Sequence, residues 1–127
     1  MVTTMYVSLE DLFTYRQYVD FPLAYCFDRE TYSFCDASEL KFNETLYYDR
    51  FVPMFRIDEK KLEYSYIMQL NNRTIYNLYR KNTDCFEAFL ERNNMWDDWW
   101  DYYKKNVYHI AEQWCKDNAI VYIKNKT

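Results

Sequence analysis

The clearest pattern in the chain lies near its C-terminal end. Trp96, Trp100, Tyr103, Val107, Ile110 and Trp114 follow one another at steps of 4, 3, 4, 3 and 4, which is one face of an α-helix. The spacing predicts a long helix with these six side chains as a buried ridge. Asn94 is the expected cap. Asp97 and Asp98 lie in the first turn and Lys116 in the last, each on the side that suits the helix dipole. A helix of roughly 24 residues would be about 36 Å long. Asn118 is expected to end it, since Asn tolerates the left-handed backbone usually given to Gly. Ala119 to Ile123 reads as a strand or a docking segment.

Upstream, Ser8-Leu9-Glu10-Asp11 is a helix start: Ser8 can cap an amide two or three residues on, and two acids follow. Leu9, Leu12 and Phe13 continue the stripe, and Asp20 with Pro22 should close the helix near Val19. Phe21 to Phe27 and Tyr32 to Cys35 are aromatic-rich runs around Asp28-Arg29-Glu30-Thr31, the pattern of a β-hairpin. Alone it would be marginal, so one of its faces should pack on helices. Ala37 to Arg50 is ambiguous, with Ser38-Glu39-Leu40 able to start a helical turn. Phe51 to Arg56 is extended, and Pro53 restricts it to a sheet edge.

From Asp58 the period turns helical again. Asp58 caps, and Leu62, Tyr66, Ile67 and Leu70 form an apolar stripe. Asn71-Asn72 interrupts. Ile75, Leu78 and Tyr79 mark a further short helix, and Thr83 to Glu87 carries a capping signature ahead of Phe89 and Leu90. Together these elements predict an α+β fold. A small antiparallel β-hairpin or sheet near the N-terminus packs on a C-terminal helical portion with one long helix. At 127 residues the chain has the length of a single domain, 1–127.

Composition narrows the function classes. There is no Gly, so phosphate-cradling Gly-rich loops of the Rossmann and P-loop kinds are excluded. Net charge is −4, which disfavours nucleic acid, a partner that usually meets a basic excess. The longest nearly apolar run, Phe21 to Phe27, is too short to cross a bilayer. The first residues lack the basic start and apolar core of a signal peptide, so no membrane contact and a cytoplasmic location are expected. Cys26, Cys35, Cys85 and Cys115 form no C-x-x-C pair, and thiols are the expectation for such a compartment. In a four-residue hairpin loop Cys26 would nevertheless face Cys35 and be placed for a disulfide, and a one-residue slip would abolish that pairing.

The order of these elements resembles a bacterial family, Uncharacterised Protein Family 0158, from about Val7 to Ile123. The family's strand–turn–strand start, with a turn of the E-T-G type, reads here Tyr25-Cys26-Phe27-Asp28-Arg29-Glu30-Thr31-Tyr32. Its apolar-Pro pair and acidic helix start read Val52-Pro53 and Ile57-Asp58-Glu59. Its F-x-x-F, W-x-x-aromatic and closing A-x-x-W motifs read Phe86-Glu87-Ala88-Phe89, Trp99 to Tyr103, and Ala111 to Ile120. The resemblance implies no activity, because the family has none established. Tyr32 and Ala119 stand where the family has Gly. Positive φ is costly for a bulky residue, so an altered turn at Tyr32 is expected.

For catalysis the candidates are His109, the single histidine, and the acids Asp97 and Asp101, four apart on one helix face. They would suit a small hydrolase or transferase. A single His with scattered Cys has no recognised metal-ligand spacing, so no metal and no cofactor are expected. The peculiarity is the aromatic content, 22% with 15 Tyr. Tyr and Trp gather where one end is apolar and the other wet, and at binding surfaces. Tyr76, Tyr79, Tyr102 and Trp99 are the candidate contact residues. Aromatics beside Arg73, Arg80 and Lys81 could also stack single-stranded bases. The leading expectation is a non-enzymatic intracellular interaction module with a protein partner or a second copy of itself.

Overall fold

The computed structural model describes residues 5–15, 25–36, 50–81 and 85–125. The expected helix end near Val19, the start of the first hairpin run, Ser38-Glu39-Leu40 and Thr83-Asp84 lie outside them. The fold is α+β, with a small antiparallel sheet toward the N-terminus and a long C-terminal helix. The chain groups into two compact units, Met1–Ile57 with Val107–Thr127, and Asp58–Asn106.

In the first unit, β1 (Val7–Ser8) leads into α1 (Leu9–Tyr15). Ser8 caps α1 as its sequence requires: its Oγ accepts the Asp11 N–H at 3.0 Å. The hairpin forms from β2 (Tyr25–Asp28) and β3 (Ser33–Asp36), with Cys26 opposite Cys35 and Asp28 opposite Ser33. Next comes β4 (Phe51–Pro53), antiparallel to β2, so the sheet order is β3-β2-β4 and Pro53 sits on an edge. Phe27 in the middle strand is fully buried. Its ring meets Tyr32, Phe34 and Trp114 edge-on at 5.1 to 5.9 Å. The Trp114 indole N–H donates to the Pro53 carbonyl at 3.1 Å, so the large ring is buried without a lost hydrogen bond. Near the chain's end β5 (Tyr122–Ile123) pairs in parallel with β1.

The second unit holds α2 (Glu59–Gln69), α3 (Arg73–Lys81) and α4 (Phe86–Arg92), then the first half of α5 (Trp96–Asp117). Asp58 caps α2 through the Lys61 N–H at 3.1 Å. Asn71 interrupts at φ 51, and the Asn72 side chain caps the next helix through Ile75 N–H at 3.1 Å. The core is a chain of rings. Trp99 stacks on Tyr103 at 5.5 Å and meets Tyr66 at 5.3 Å and Phe86 at 4.9 Å. Tyr79 meets Phe86 and Phe89. Each pair contributes on the order of 0.5–1.5 kcal/mol beyond its area.

Three expectations are corrected. First, the buried line of α5 is Trp99, Tyr103, Val107, Ala111, Trp114 and Cys115, while Trp96 and Trp100 are 42% and 36% exposed and Ile110 is half-buried. At about 100° per residue, Trp99 points roughly 60–100° away from both exposed tryptophans. Both faces are aromatic in the sequence, and packing selects between them. Second, Asn94 does not cap α5. It takes φ 55 and ends α4, with Asn94 N–H on Glu91 O and Met95 N–H on Leu90 O, a Schellman motif. The left-handed residue ending α5 is Ala119 at φ 53, not Asn118, whose side chain instead donates to Trp114 O at 2.9 Å. Third, Tyr32 keeps the left-handed turn expected of Gly, at φ 51. Its ring packs on Phe27 and its hydroxyl accepts the Val121 N–H at 3.1 Å, contacts that hold it there.

Candidate functional site

The second unit carries a cleft of about 420 Å³ lined by Glu59, Lys60, Glu63, Cys85, Phe86, Glu87, Trp96 and Trp99. Its carboxylates come from two helix starts. Glu59 opens α2 directly after the Asp58 cap, and Glu63 follows one turn on. Glu87 lies in the first turn of α4. Acids at such positions suit the helix dipole. The buried Phe86 and Trp99 form apolar floor, and Trp96, at the first turn of α5, stands as a half-open wall.

The site is partly pre-set by hydrogen bonds. The Tyr103 hydroxyl donates to Glu59 Oε1 at 2.7 Å, and Lys60 Nζ lies 3.5 Å from Glu63 Oε2. Burial pushes the Glu63 carboxyl above its ordinary range, and neighbouring Lys60 opposes the shift. Behind the floor, the Tyr66 hydroxyl donates to Asp98 Oδ2 at 2.8 Å, and burial and that bond hold the phenol well above its ordinary range. Three carboxylates against one ammonium leave the cleft with a negative excess beside π-faces. That arrangement suits an organic cation. Among the described residues no three His, Cys, Asp or Glu side chains gather as they would to hold a metal ion.

The sequence candidates fall in different places. Tyr79 and Trp99 are 9% and 6% exposed and belong to the core of the second unit, so neither is an exposed contact residue, although Trp99 forms part of the cleft floor. The reason is that each is ringed by aromatics that bury it more completely than water-facing neighbours would. Tyr76 and Tyr102 are half-buried, and Arg80 lies over the Tyr76 ring at 5.8 Å. Asp97 and Asp101 are exposed on α5. His109 is exposed too, and no hydrogen bond or ion pair joins it to a described residue. The structure therefore does not bring His109 together with a nucleophile or an acid among the described residues. Sequence reasoning missed Trp96 as a surface residue and did not group Glu59, Glu63 and Glu87. The signal for the acids was there, since each follows a helix start, but their convergence depends on how α2 and α4 pack.

No helix among the described residues is long and apolar enough to cross a membrane. In comparisons with known proteins the chain matches no family model, no curated protein and no solved structure.

Proposed function

We propose that the chain is a non-enzymatic interaction module of the bacterial cytoplasm, and that the cleft of the second unit receives a basic segment of a protein partner. One observation carries this reading: Glu59, Glu63 and Glu87 surround an aromatic floor on which Trp96 remains 42% exposed. A Lys or Arg side chain entering there would meet carboxylates for its charge and an indole face for its cation. Charge complementarity selects a basic partner over an acidic one. Membership of Uncharacterised Protein Family 0158 is part of the same proposal and rests on the order of the motifs at Tyr25 to Tyr32, Val52 to Glu59, Phe86 to Phe89 and Ala111 to Ile120.

The test is a calorimetric titration with a hexa-arginine peptide and, in parallel, a hexa-glutamate peptide. The reading expects micromolar to millimolar binding of the basic peptide alone, weakening with salt and reduced several-fold in Glu87→Gln. Equal response to both peptides, or none to either, would remove it. Light scattering separates a second copy of the chain from a different partner.

A second reading rests on α3. Arg80 over Tyr76, with Asn77 and Lys81 lining a shallow hollow of about 430 Å³, offers a cation and a ring to a single-stranded base. A mobility shift with a short oligonucleotide at low salt, lost in Arg80→Ala, would support it. No shift would eliminate it.

A further inference from the structure

The hairpin sets two thiols against each other. Cys26 on β2 and Cys35 on β3 are directly opposite in the register. Their Sγ atoms are 3.3 Å apart, and Cys35 Sγ also lies 3.6 Å from the Cys26 carbonyl oxygen. Both are reduced. They differ in access: Cys26 is 3% exposed, whereas Cys35 is half-buried on the edge strand.

An arginine braces the turn end of the same hairpin. Arg50 is fixed by a two-point contact to Asp28, Nε on Oδ1 at 2.9 Å and a terminal nitrogen on Oδ2 at 2.8 Å. A second terminal nitrogen reaches Glu30 at 3.1 Å. The other two cysteines are placed differently. Cys115 has no exposed surface, and burial pushes its thiol up to about 12. Cys85 is exposed, but it is the single cysteine of the second unit and has no second thiol there with which to close a disulfide.

We propose that Cys26 and Cys35 form a redox-responsive pair that a peroxide-class oxidant converts reversibly to a cross-strand disulfide. Cys35, as thiolate, attacks one peroxide oxygen. The O–O bond breaks, one oxygen leaves as water after taking a proton, and Cys35 becomes a sulfenic acid. Cys26 then attacks the Cys35 sulfur. The S–O bond breaks, a second water leaves, and the S–S bond forms. Two thiols and one hydrogen peroxide give one disulfide and two waters, with both sulfurs oxidised and both peroxide oxygens reduced. Thiol exchange restores the pair, so a reducing compartment holds it open at rest and an oxidant pulse closes it. The geometry favours closure over idle oxidation, because the resolving thiol is already the cross-strand neighbour of the attacking one.

Trypsin cuts after Arg29, between the two cysteines, so the linkage is directly readable. The full chain is treated with hydrogen peroxide at one equivalent, its remaining thiols are blocked with iodoacetamide, and the digest is analysed by mass spectrometry. The expected result is a linked pair of peptides, residues 17–29 with 30–41, that separates on adding dithiothreitol, while Cys85 and Cys115 are recovered as thiols. In Cys26→Ser the link is lost and Cys35 is captured by dimedone as sulfenic acid. Recovery of Cys26 and Cys35 as thiols while Cys85 is oxidised would overturn the proposal. So would Cys35 advancing to sulfinic acid in the wild-type chain without a linked peptide.

Discussion

The Tyr32 hydroxyl accepts the backbone N–H of Val121 at 3.1 Å across 89 positions of sequence. One side chain thereby ties the hairpin turn to the segment leading into β5. It also explains why a Tyr holds a left-handed turn at φ 51, a conformation that costs a non-Gly residue about 1–2 kcal/mol. The ring on Phe27 and the bond to Val121 offset that cost. Tyr32→Phe should keep the ring contact and lose the bond. The expected outcome is faster amide exchange at Val121, with a stability loss of about 0.5 kcal/mol for so exposed a bond. Unchanged exchange at Val121 would show that the hydroxyl does not hold it.

Ala119 is the second left-handed residue placed where Gly would be easier, at φ 53. Its N–H bonds Lys116 O and the following N–H of Ile120 bonds Cys115 O at 2.8 Å, so the turn is fully hydrogen-bonded. Relieving the Cβ while keeping those bonds should stabilise the end of α5. Ala119→Gly should raise the chemical unfolding free energy by about 1 kcal/mol, after the entropy of a freer unfolded chain is subtracted. A loss of stability would mean that Ala119 contributes packing that outweighs its strain.

These two residues show what the sequence could and could not disclose. Local chemistry is written in neighbours: Ser8 and Asp58 cap their helices, Pro53 sits on an edge, and the four-residue loop sets Cys26 against Cys35. Contacts between distant positions are not. Tyr32 is left-handed because of Val121, and the seam of α5 runs through Trp99 rather than Trp96 and Trp100 because of Tyr66 and Phe86. Aromatics on neighbouring faces give no local means of choosing. The cleft is illegible for the same reason, since its acids come from α2 and α4 and its wall from α5.

The Asp28–Arg50 pair gives the first unit an acid-sensitive joint. The Arg50 guanidinium holds the Asp28 carboxyl at about 2, below its ordinary 3.8. A depressed carboxyl stabilises the fold above its unfolded value and loses that contribution as pH falls through the folded one. The gain should be complete above about pH 5 and fade between about pH 4 and 2. Arg50 is 35% exposed, so solvent screening trims the gain to about 1–2 kcal/mol. Asp28→Asn retains an oxygen for the Glu30 N–H but not the charge. The difference in urea midpoint between wild type and variant should be full at pH 6, shrink to roughly a third by pH 2.5, and close only below about pH 2. A constant gap would rule out the ion pair as its source.

Trp99 and Trp100 are adjacent in sequence and opposite in role. Trp99 is 6% exposed among Tyr66, Phe86 and Tyr103, whereas Trp100 is 36% exposed. Trp99→Ala should cost about 3–5 kcal/mol, and Trp100→Ala about 1 kcal/mol or less, by urea unfolding. Equal costs would put the seam of the helix elsewhere.

The cleft can be watched through its own indoles. The chain has four tryptophans, and each gives one indole N–H signal in a two-dimensional NMR spectrum. Trp96 and Trp99 line the cleft, and Trp114 is buried with its N–H on Pro53. Adding the hexa-arginine peptide should move the Trp96 signal most, Trp99 less, and leave Trp114 in place. Movement of Trp114 with Trp96 fixed, or no movement of any indole at millimolar peptide, would contradict the cleft as the surface through which this chain meets its partner.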